Sequence, residues 1–424
     1  MIDRTRLLAG SVPAAARERR GLALDLLDAA LARVEPHAAT RRGLEAARAA
    51  GIDLDGCTLL AFGKAARGMA EAALAEVRVA RGIVLGFHEG RLGPLVMHRA
   101  GHPLPCPDAP AHGSEVLSLA RSLGAGDVAL CLVSGGGSAM LELPRQGVAL
   151  ASVAETTRLM NEAGASIAEL NAVRRALSQL KGGRLAAALA PARVVNVLIS
   201  DVPAGDLSVI ASGPSVPPAP GAPDARAVIE RYGLRGSLPA DALGALDAPE
   251  PVESVPAQSF LAADNADARR AVVARASELG VRCAEHPREL SGIAREAGPR
   301  LYESALSRFA AEPALHAVIA GGETTVEVHG SGRGGRNQEL ALAVLAAYQS
   351  GLVATLGTDG IDGSSDAAGA LVDEAAAGEA QRLGLDPARF LADNDSHAIF
   401  ADLGTQLRTG PTGTNVADLC LILR

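Results

Sequence analysis

The sequence predicts a two-domain α/β protein, and two observations lead to this fold class. Apolar runs of strand length alternate with Ala-, Leu- and Arg-rich stretches of helical length along the 424 residues, a pattern typical of parallel α/β domains. Two proline clusters, Pro214–Pro223 and Pro249–Pro256, interrupt the alternation, and a new strand–helix pair follows the second. We therefore expect an N-terminal domain over residues 1–250, a smaller C-terminal domain over residues 257–424, and a ligand cleft between them.

The apolar runs are apolar at nearly every position, which is typical of strands that helices cover on both faces. The predicted strands are Cys57–Phe62, Ile83–Phe87, Val128–Val133, Val194–Ile199, Ser259–Ala262, Ala317–Ala320, Leu352–Leu356 and Leu419–Leu423. The predicted helices are Leu22–Val34, Ala65–Ala80, Ala111–Leu123, Ser166–Leu180, Ala266–Leu279, Gly292–Phe309 and Asn337–Tyr348.

Charge and composition exclude several classes of function. A net charge of −8 argues against general binding to nucleic acids or anionic membranes. The absence of tryptophan and the low aromatic content argue against a base-stacking surface. The five cysteines contain no C-x-x-C pair, which indicates neither a disulfide framework nor a zinc knuckle. No stretch resembles a signal peptide or a transmembrane helix, so we expect a cytoplasmic protein.

Lysine is scarce in this chain, because Lys64 and Lys181 are the two lysines among 40 basic residues. A lysine kept in an arginine-rich chain can mark a site that needs a compact ammonium rather than a planar guanidinium. Lys64 lies between a predicted strand and a helix, where an anion is favoured; alternatively it covers apolar surface at a helix start. Lys181 ends a predicted helix and is a second phosphate-binding candidate, or a cation at the helix C-terminus.

Three consecutive glycines follow the predicted strand Val128–Val133, within Ser134-Gly135-Gly136-Gly137-Ser138. They expose successive backbone N–H groups without side-chain hindrance, and a hydroxyl flanks them on each side. We interpret this segment as a phosphate-binding loop.

Asp201 follows the predicted strand Val194–Ile199, where a carboxylate suits a general base or a metal ligand. Asp206 is a candidate second carboxylate nearby. The alternative for Asp201 is a turn-capping role.

Two further glycine-rich junctions lie in the C-terminal half. Gly321-Gly322-Glu323-Thr324 is followed by Gly330–Gly335, which formally matches the dinucleotide fingerprint G-x-G-x-x-G before a helix. Arg336 begins that helix and suits bidentate contact with a carboxylate or phosphate; a surface turn is the alternative. In Gly357–Asp366, Asp359 and Asp362 suit Mg²⁺ held together with substrate phosphates, or an ordinary solvated turn.

Together these junctions resemble the bacterial and archaeal glycerate 2-kinases whose C-terminal half is the MOFRL domain. The likeness covers almost the whole chain, in blocks that follow the family's order. The blocks are Gly63-Lys64-Ala65-Ala66, Gly101-His102-Pro103, Ser134–Ser138, Asn171–Gly183, Ser200-Asp201-Val202, Gly321–Thr324, Gly335–Glu339, Thr358–Gly363 and Gly410–Val416. The chain departs from the family pattern at Ser364-Ser365, where the family usually has Pro-Thr.

The resemblance implies a larger Rossmann-like parallel-sheet domain, a smaller MOFRL-type α/β domain and an active site in the interdomain cleft. It implies transfer of the γ-phosphoryl group of ATP, with Mg²⁺, to the 2-hydroxyl of D-glycerate. The products would be 2-phosphoglycerate and ADP. Lys64, Asp201 and Arg336 match the positions of the family's proposed active site.

We hypothesise a role for each candidate residue on this basis. Lys64 would neutralise the transferring phosphoryl group, Arg336 would bind the glycerate carboxylate, and Asp201 would accept the proton of the 2-hydroxyl or orient it. The remaining candidates would bind the nucleotide and its metal. For the nucleotide they are Ser134, Gly135, Gly136, Gly137, Ser138, Lys181 and Glu323; for Mg²⁺ they are Asp359 and Asp362.

Two other functions stay open at the level of the sequence. One is an NAD(P)H-dependent hydroxypyruvate reductase that uses Gly330–Gly335, and the other is a non-catalytic sensor of sugar acids. We expect small-molecule substrates and neither a nucleic-acid nor a membrane partner, while a homo-oligomer stays possible. His102, flanked by Pro103, is expected to order a loop.

Overall fold

The computed structural model describes residues 1–202, 207–217 and 221–424, and the chain folds as two compact units. The inserted unit is Pro36–Ala262, and the terminal unit combines Met1–Glu35 with Ala263–Arg424. The predicted two-domain α/β class is confirmed, because each unit contains a sheet and helices. The division differs from the expected domain limits in its first 35 residues, which belong with the C-terminal part. The candidate Asp206 lies outside the described residues.

All the predicted strands and helices are present, with boundary shifts of a few residues and additional short elements between them. The largest shift is in the helix predicted to begin at Leu22, which begins at Ala14. The helix predicted to reach Ala80 ends at Glu76 because the next strand begins at Val79. The strands are β1 Cys57–Phe62, β2 Val79–Gly86, β3 Gly90–Leu92, β4 Leu95–Arg99, β5 Val128–Ser134, β6 Arg193–Ile199, β7 Ala257–Ala263, β8 Cys283–Glu285, β9 Ala317–Gly322, β10 Leu352–Gly357, β11 Gly369–Val372, β12 Gln406–Leu407 and β13 Asp418–Leu423. The helices are α1 Ala14–Val34, α2 Pro36–Ala49, α3 Ala66–Glu76, α4 Ala109–Arg121, α5 Gly137–Met140, α6 Leu150–Glu162, α7 Ile167–Ala176, α8 Arg184–Leu189, α9 Ala225–Arg231, α10 Ala240–Asp247, α11 Asn265–Glu278, α12 Ala294–Ala311, α13 Arg336–Ala346, α14 Glu374–Leu383, α15 Pro387–Ala392 and α16 Ser396–Asp402.

The inserted unit is built on a seven-stranded sheet in the order β3-β4-β2-β1-β5-β6-β7. Strands β1, β2, β4, β5 and β6 pair in parallel with their neighbours among themselves, and β3 forms an antiparallel edge with β4. Every residue of β1 is buried, as expected for a strand covered on both faces. Because β1, β5 and β6 are adjacent and parallel, their carboxyl ends meet at one edge of the sheet, where α/β proteins bind ligands.

The terminal unit contains a six-stranded sheet in the order β12-β11-β10-β13-β9-β8. Strands β9 to β13 pair antiparallel, and β8 pairs parallel with β9. The apolar runs in this half predicted parallel strands, which was wrong for most of the sheet. A strand buried on both faces is apolar throughout in either direction, so composition does not report the strand direction.

Helix α1 belongs to the terminal unit, where it packs against α11. Its Arg20 is 3% exposed. The guanidinium forms a bidentate ion pair with Asp373, from Nε to Oδ2 at 2.7 Å and from Nη2 to Oδ1 at 2.9 Å. Asp373 also caps α14 by accepting from the Ala376 N–H at 2.9 Å. Long-range pairing of this kind leaves no local signal, which is why the sequence alone assigned α1 to the N-terminal domain.

None of the helices in the described ranges combines the length and the apolar character needed to cross a lipid bilayer.

Candidate active site

The ends of β1 and β5 are joined by two hydrogen bonds. The Lys64 N–H donates to the Gly135 carbonyl at 2.9 Å, and the Ala65 N–H donates to Ser134 Oγ at 3.0 Å. Lys64 is therefore fixed beside residues 134–138, which we call the glycine loop. The half-buried side chain of Lys64 lies at a strand-to-helix junction, as the sequence predicted.

Asp201 lies against the same loop. Its Oδ2 atom is 2.0 Å from the position that a Cβ atom on Gly135 would occupy, so the carboxylate packs directly on the glycine backbone. Asp201 follows β6, and the Ser200 hydroxyl next to it accepts from the Val202 N–H at 3.1 Å, which holds the turn. The structure thus brings the ends of three neighbouring strands together, as parallel pairing requires.

His102 also borders the glycine loop. A Cβ atom on Gly136 would lie 3.0 Å from His102 Cδ2 and 3.1 Å from Lys64 Cγ. Gly136 has φ of +83°, a conformation that favours glycine. A side chain at this position would be strained and would crowd both neighbours, so the loop needs glycine here for two reasons.

The two serines of the glycine loop already make hydrogen bonds inside the fold. Ser134 is fully buried and accepts from Ala65. Ser212 donates to Asn171 Oδ1 at 2.7 Å, so its contact of 2.8 Å with Ser138 requires the Ser138 hydroxyl to be the donor. Phosphate oxygens accept hydrogen bonds, which leaves the backbone N–H groups of the loop as the donors suited to phosphate.

Lys181 has a different environment from Lys64. It is fully buried, and its Nζ atom forms an ion pair with Glu142, which is 2% exposed. Burial lowers the pKa of Lys181, although the Glu142 carboxylate opposes this shift. Lys181 therefore fixes a buried carboxylate within the inserted unit.

Arg336 begins α13 in the terminal unit and has two carboxylate partners. Its Nε atom lies 2.5 Å from Asp418 Oδ2 and its Nη2 atom 3.2 Å from Asp418 Oδ1, and Nη1 donates to Glu323 Oε1. Burial alone would lower the pKa of Arg336, but the two carboxylates outweigh it and raise the pKa. Burial raises the pKa of Asp418 to about 6 in spite of Arg336. The bidentate contact fixes the plane of the guanidinium.

The two metal-ligand candidates differ in their contacts. Asp362 is 1% exposed and accepts from the Asn337 N–H at 2.9 Å and the Gln338 N–H at 2.8 Å. The side-chain amides of the same two residues also donate to it, so its carboxylate anchors the start of α13. Asp359 is half-buried, and its Oδ1 atom accepts from the Ile361 N–H at 3.1 Å.

The segment Gly330–Gly335 does not have the structural context of a dinucleotide fingerprint. Strand β9 ends at Gly322, and residues 326–335 before α13 belong to no strand. A Cβ atom on Gly332 would lie 2.3 Å from Asp395 Cβ, and one on Gly334 would lie 2.1 Å from Ser396 Oγ. These glycines allow close packing within the terminal unit, whereas the fingerprint needs a strand before the loop and backbone open to a pyrophosphate.

Comparisons with known proteins also give two family matches along the chain, although the first begins inside α1, which belongs to the terminal unit. Residues 22–247 match the profile of a domain of unknown function, DUF4147, and residues 316–418 match the MOFRL family. The chain is 37% identical to the D-glycerate 2-kinase of Thermotoga maritima, over 94% of this chain and 97% of that protein. The chain belongs to the glycerate 2-kinase family. The resemblance predicted from the motifs is therefore confirmed.

Other members of the glycerate kinase family support the assignment. The crystal structure of the Thermotoga maritima glycerate kinase matches with a TM-score of 0.85 and 36% identity, covering 95% of this chain and 98% of that one. The human glycerate kinase is 38% identical over 86% of this chain and 83% of its own length. A relative from Agrobacterium vitis, 37% identical over 87% of each chain, carries the provisional name hydroxypyruvate reductase.

Sequence reasoning missed two charged residues that lie close to the glycine loop, Glu142 and Arg174. Glu142 comes four residues after the loop, and Arg174 lies on α7 within the block Asn171–Gly183. Both line one cavity together with His102 and Ser138. An arginine in a chain so rich in arginine has no distinguishing signal in the sequence, so only the fold reveals Arg174.

Proposed function

We propose that this chain is a D-glycerate 2-kinase, which transfers the γ-phosphoryl group of ATP to the 2-hydroxyl of D-glycerate. The observation that carries the proposal is the contact of Asp201 with Gly135, beside Lys64. It places a carboxylate, an ammonium and a glycine loop at the ends of three adjacent strands. Phosphoryl transfer depends on positioning and charge neutralisation, and this set of groups suits both.

Lys64 and the glycine loop are proposed to bind the transferring phosphoryl group. The ammonium would neutralise charge on its oxygens, and the loop N–H groups would donate to them. Gly137 and Ser138 begin α5, and the first N–H groups of a helix have no partner inside the helix. Within the described ranges, neither of these two N–H groups donates to another group of the protein.

Asp201 is proposed to accept the proton of the 2-hydroxyl. The alkoxide oxygen then forms a bond to the γ-phosphorus as the bond from that phosphorus to the β,γ-bridging oxygen breaks. ADP leaves with the electron pair of that bond, and 2-phosphoglycerate remains. The carboxylate is held against Gly135, which keeps its position fixed during the transfer.

Arg336 and Asp359 are also proposed to bind the reactants. Asp418 takes two N–H groups of Arg336 and Glu323 takes one, which leaves two of its five donors for anionic oxygens of the reactants. Mg²⁺ is held in kinases by one or two carboxylates and the substrate phosphates, and it neutralises the charge of those phosphates. Asp359 fits this role by its chemistry, whereas four donors already occupy Asp362.

An ADP-release assay with the two glycerate enantiomers tests the proposal. We expect ADP release with D-glycerate that depends on Mg²⁺, and a slower reaction with the L-enantiomer. Coupling the product to enolase with and without phosphoglycerate mutase identifies the phosphorylated position, because 2-phosphoglycerate needs no mutase. A signal that requires the mutase would assign phosphorylation to the 3-hydroxyl instead.

The rival activity is distinguished in the same preparation. If the chain oxidises NADH with hydroxypyruvate and releases no ADP with glycerate, its activity is that of a reductase and not of a kinase. We expect no oxidation of NADH, because Gly330–Gly335 packs against residues 393–396.

A kinase of this type uses cytoplasmic ATP, and we propose that compartment for the chain.

A further inference from the structure

A cavity of about 280 Å³ in the inserted unit lies directly beside the glycine loop. Gly136 and Ser138 form one wall, and the exposed His102 and Leu104 form another. The remaining polar side chains are those of Glu142, Thr157 and Arg174. Since a Cβ atom on Gly136 would meet Lys64 Cγ at 3.1 Å, the Lys64 side chain lies beside a glycine that lines the cavity.

Arg174 is the cation of this cavity, and its guanidinium makes no hydrogen bond or ion pair with the part of the chain that the structure describes. The adjacent Arg175 differs, because it donates to the Ser208 carbonyl at 2.7 Å. Burial lowers the pKa of Arg174, and the nearby Glu142 opposes the shift. Both observations describe a half-buried guanidinium fork whose donors face a cavity.

The charges around the cavity do not cancel. Glu142 is paired with Lys181, so the charges of these two residues offset one another, and Arg174 leaves the cluster with a net positive charge. A half-buried cation of this kind gains from an anionic ligand, and the planar fork matches the geometry of a carboxylate.

Two acceptors lie beside the fork. The Ser138 hydroxyl donates a hydrogen bond to Ser212, so the lone pairs of the Ser138 oxygen remain for a donor in the cavity. Glu142 Oε1 is buried and accepts no hydrogen bond from the described residues. Phosphate oxygens are acceptors and gain no hydrogen bond from these two atoms, whereas a hydroxy acid presents a carboxylate to the fork and hydroxyl donors to the acceptors.

We propose that this cavity binds the phosphoryl acceptor, a small hydroxycarboxylate, with Arg174 holding its carboxylate and Ser138 accepting from a hydroxyl. The inference rests on the proposed kinase function and names the acceptor site within it. It assigns the glycerate carboxylate to Arg174 instead of Arg336, because Arg336 already has two carboxylate partners in the protein. The acid would then extend past Gly136 toward Lys64 and Asp201.

Steady-state kinetics of Arg174→Gln test this assignment. We expect the KM for D-glycerate to rise by about 30-fold or more, because the charged contact of the guanidinium with the substrate carboxylate is lost, while the KM for ATP stays within about two-fold. The matched control is Arg235→Gln in the same unit, since Arg235 forms an exposed pair with Asp247 at 2.6 Å. Both KM values of the control should match those of the unsubstituted chain.

A carboxylate-free probe separates carboxylate binding from general damage. Glycerol at high concentration should be phosphorylated equally slowly by the unsubstituted chain and by Arg174→Gln, so the preference for glycerate over glycerol collapses in the variant. A structural role would lower both activities together. If Arg174→Gln does not fold, Arg174→Lys keeps the charge without the fork, and its KM for D-glycerate should rise by about ten-fold.

The remaining outcomes overturn the assignment. A rise in the KM for ATP alone would identify the cavity as a nucleotide site. Unchanged KM values for both substrates would show that Arg174 binds neither of them. Failure of the proposed function is seen separately, as an absence of ADP release by the unsubstituted chain. In that case, calorimetric titration with D-glycerate still tests the inference. Equal affinity of the unsubstituted chain and of Arg174→Gln for D-glycerate would overturn it.

Discussion

The Oδ2 atom of Asp201 lies 2.0 Å from the place where a Cβ atom on Gly135 would stand. The backbone of Gly135 does not have a positive φ, so alanine is allowed there by the backbone. The obstacle to a side chain at this position is the Asp201 carboxylate. A single methyl group can therefore displace the proposed base and leave the strands as they are.

We expect Gly135→Ala to reduce kcat by about 100-fold, since displacement of a reacting group by about 1 Å has effects of this size. The free energy of unfolding should change by less than about 1 kcal/mol, because the far end of one side chain moves. Turnover assays and urea unfolding measure the two effects. Gly126→Ala is the matched control, since a Cβ atom there meets nothing within 4 Å. Normal turnover in Gly135→Ala would exclude a catalytic role for the position of Asp201.

Replacing the Lys64 ammonium by a guanidinium should stop turnover without unfolding the protein. Lys64→Arg keeps the positive charge but replaces the compact ammonium by a longer, planar guanidinium, which presents its donors in a different geometry. We expect kcat to fall by about 100-fold or more, with an unchanged thermal midpoint. Arg67→Lys, on the exposed face of α3 beside Glu71, should retain full activity. Turnover in Lys64→Arg within a few-fold of normal would remove Lys64 from the mechanism.

Lys181 is expected to act on stability. Lys181→Met leaves Glu142 buried without its partner, which should lower the free energy of unfolding by about 3–5 kcal/mol. The double variant Lys181→Met/Glu142→Met replaces the whole pair by apolar groups and should recover most of the loss. Urea unfolding of both variants measures this. A stable single variant with a raised KM for ATP would instead return Lys181 to nucleotide binding.

The raised pKa of Asp418 predicts a pH dependence of stability. A carboxyl whose pKa is about 6 in the folded chain, against 3.8 as its ordinary value, binds protons more readily when folded than when unfolded. Its contribution to the free energy of unfolding therefore increases as the pH falls through 6. Between pH 7.5 and pH 5, the unsubstituted chain should gain on the order of 1 kcal/mol relative to Asp418→Asn. A difference that stays constant over this range would show that Asp418 does not titrate near pH 6.

The sequence predicted the residues around the glycine loop well because the topology there is simple. Lys64, Ser134–Ser138 and Asp201 each follow a buried parallel strand, and such strand ends meet at one edge of the sheet. Their grouping could therefore be predicted before any distance was known.

Other features depend on contacts between distant parts of the chain. The sequence favoured Lys64 and left Lys181 open between phosphate binding and a cation at a helix C-terminus, and only the fold reveals the ion pair of Lys181 with Glu142. The near-fingerprint at Gly330–Gly335 has the right letters, but its glycines serve packing against residues 393–396. The apolar pattern of the strands in the terminal unit also does not distinguish parallel from antiparallel pairing, because a strand covered on both faces is buried in the same way in either direction.

The position of α1 has a consequence for how the protein is made. The helix is synthesised before the inserted unit, whereas α11 and Asp373, which contact it, follow the whole of the inserted unit. At synthesis rates of about 5–20 residues per second, α1 waits on the order of tens of seconds for these partners. During that time the inserted unit can fold, while α1, whose Leu24, Leu27 and Leu31 are buried in the folded chain, lacks its contacts with α11. Nascent chains of this enzyme should therefore need a chaperone to hold the N-terminal helix until the terminal unit closes.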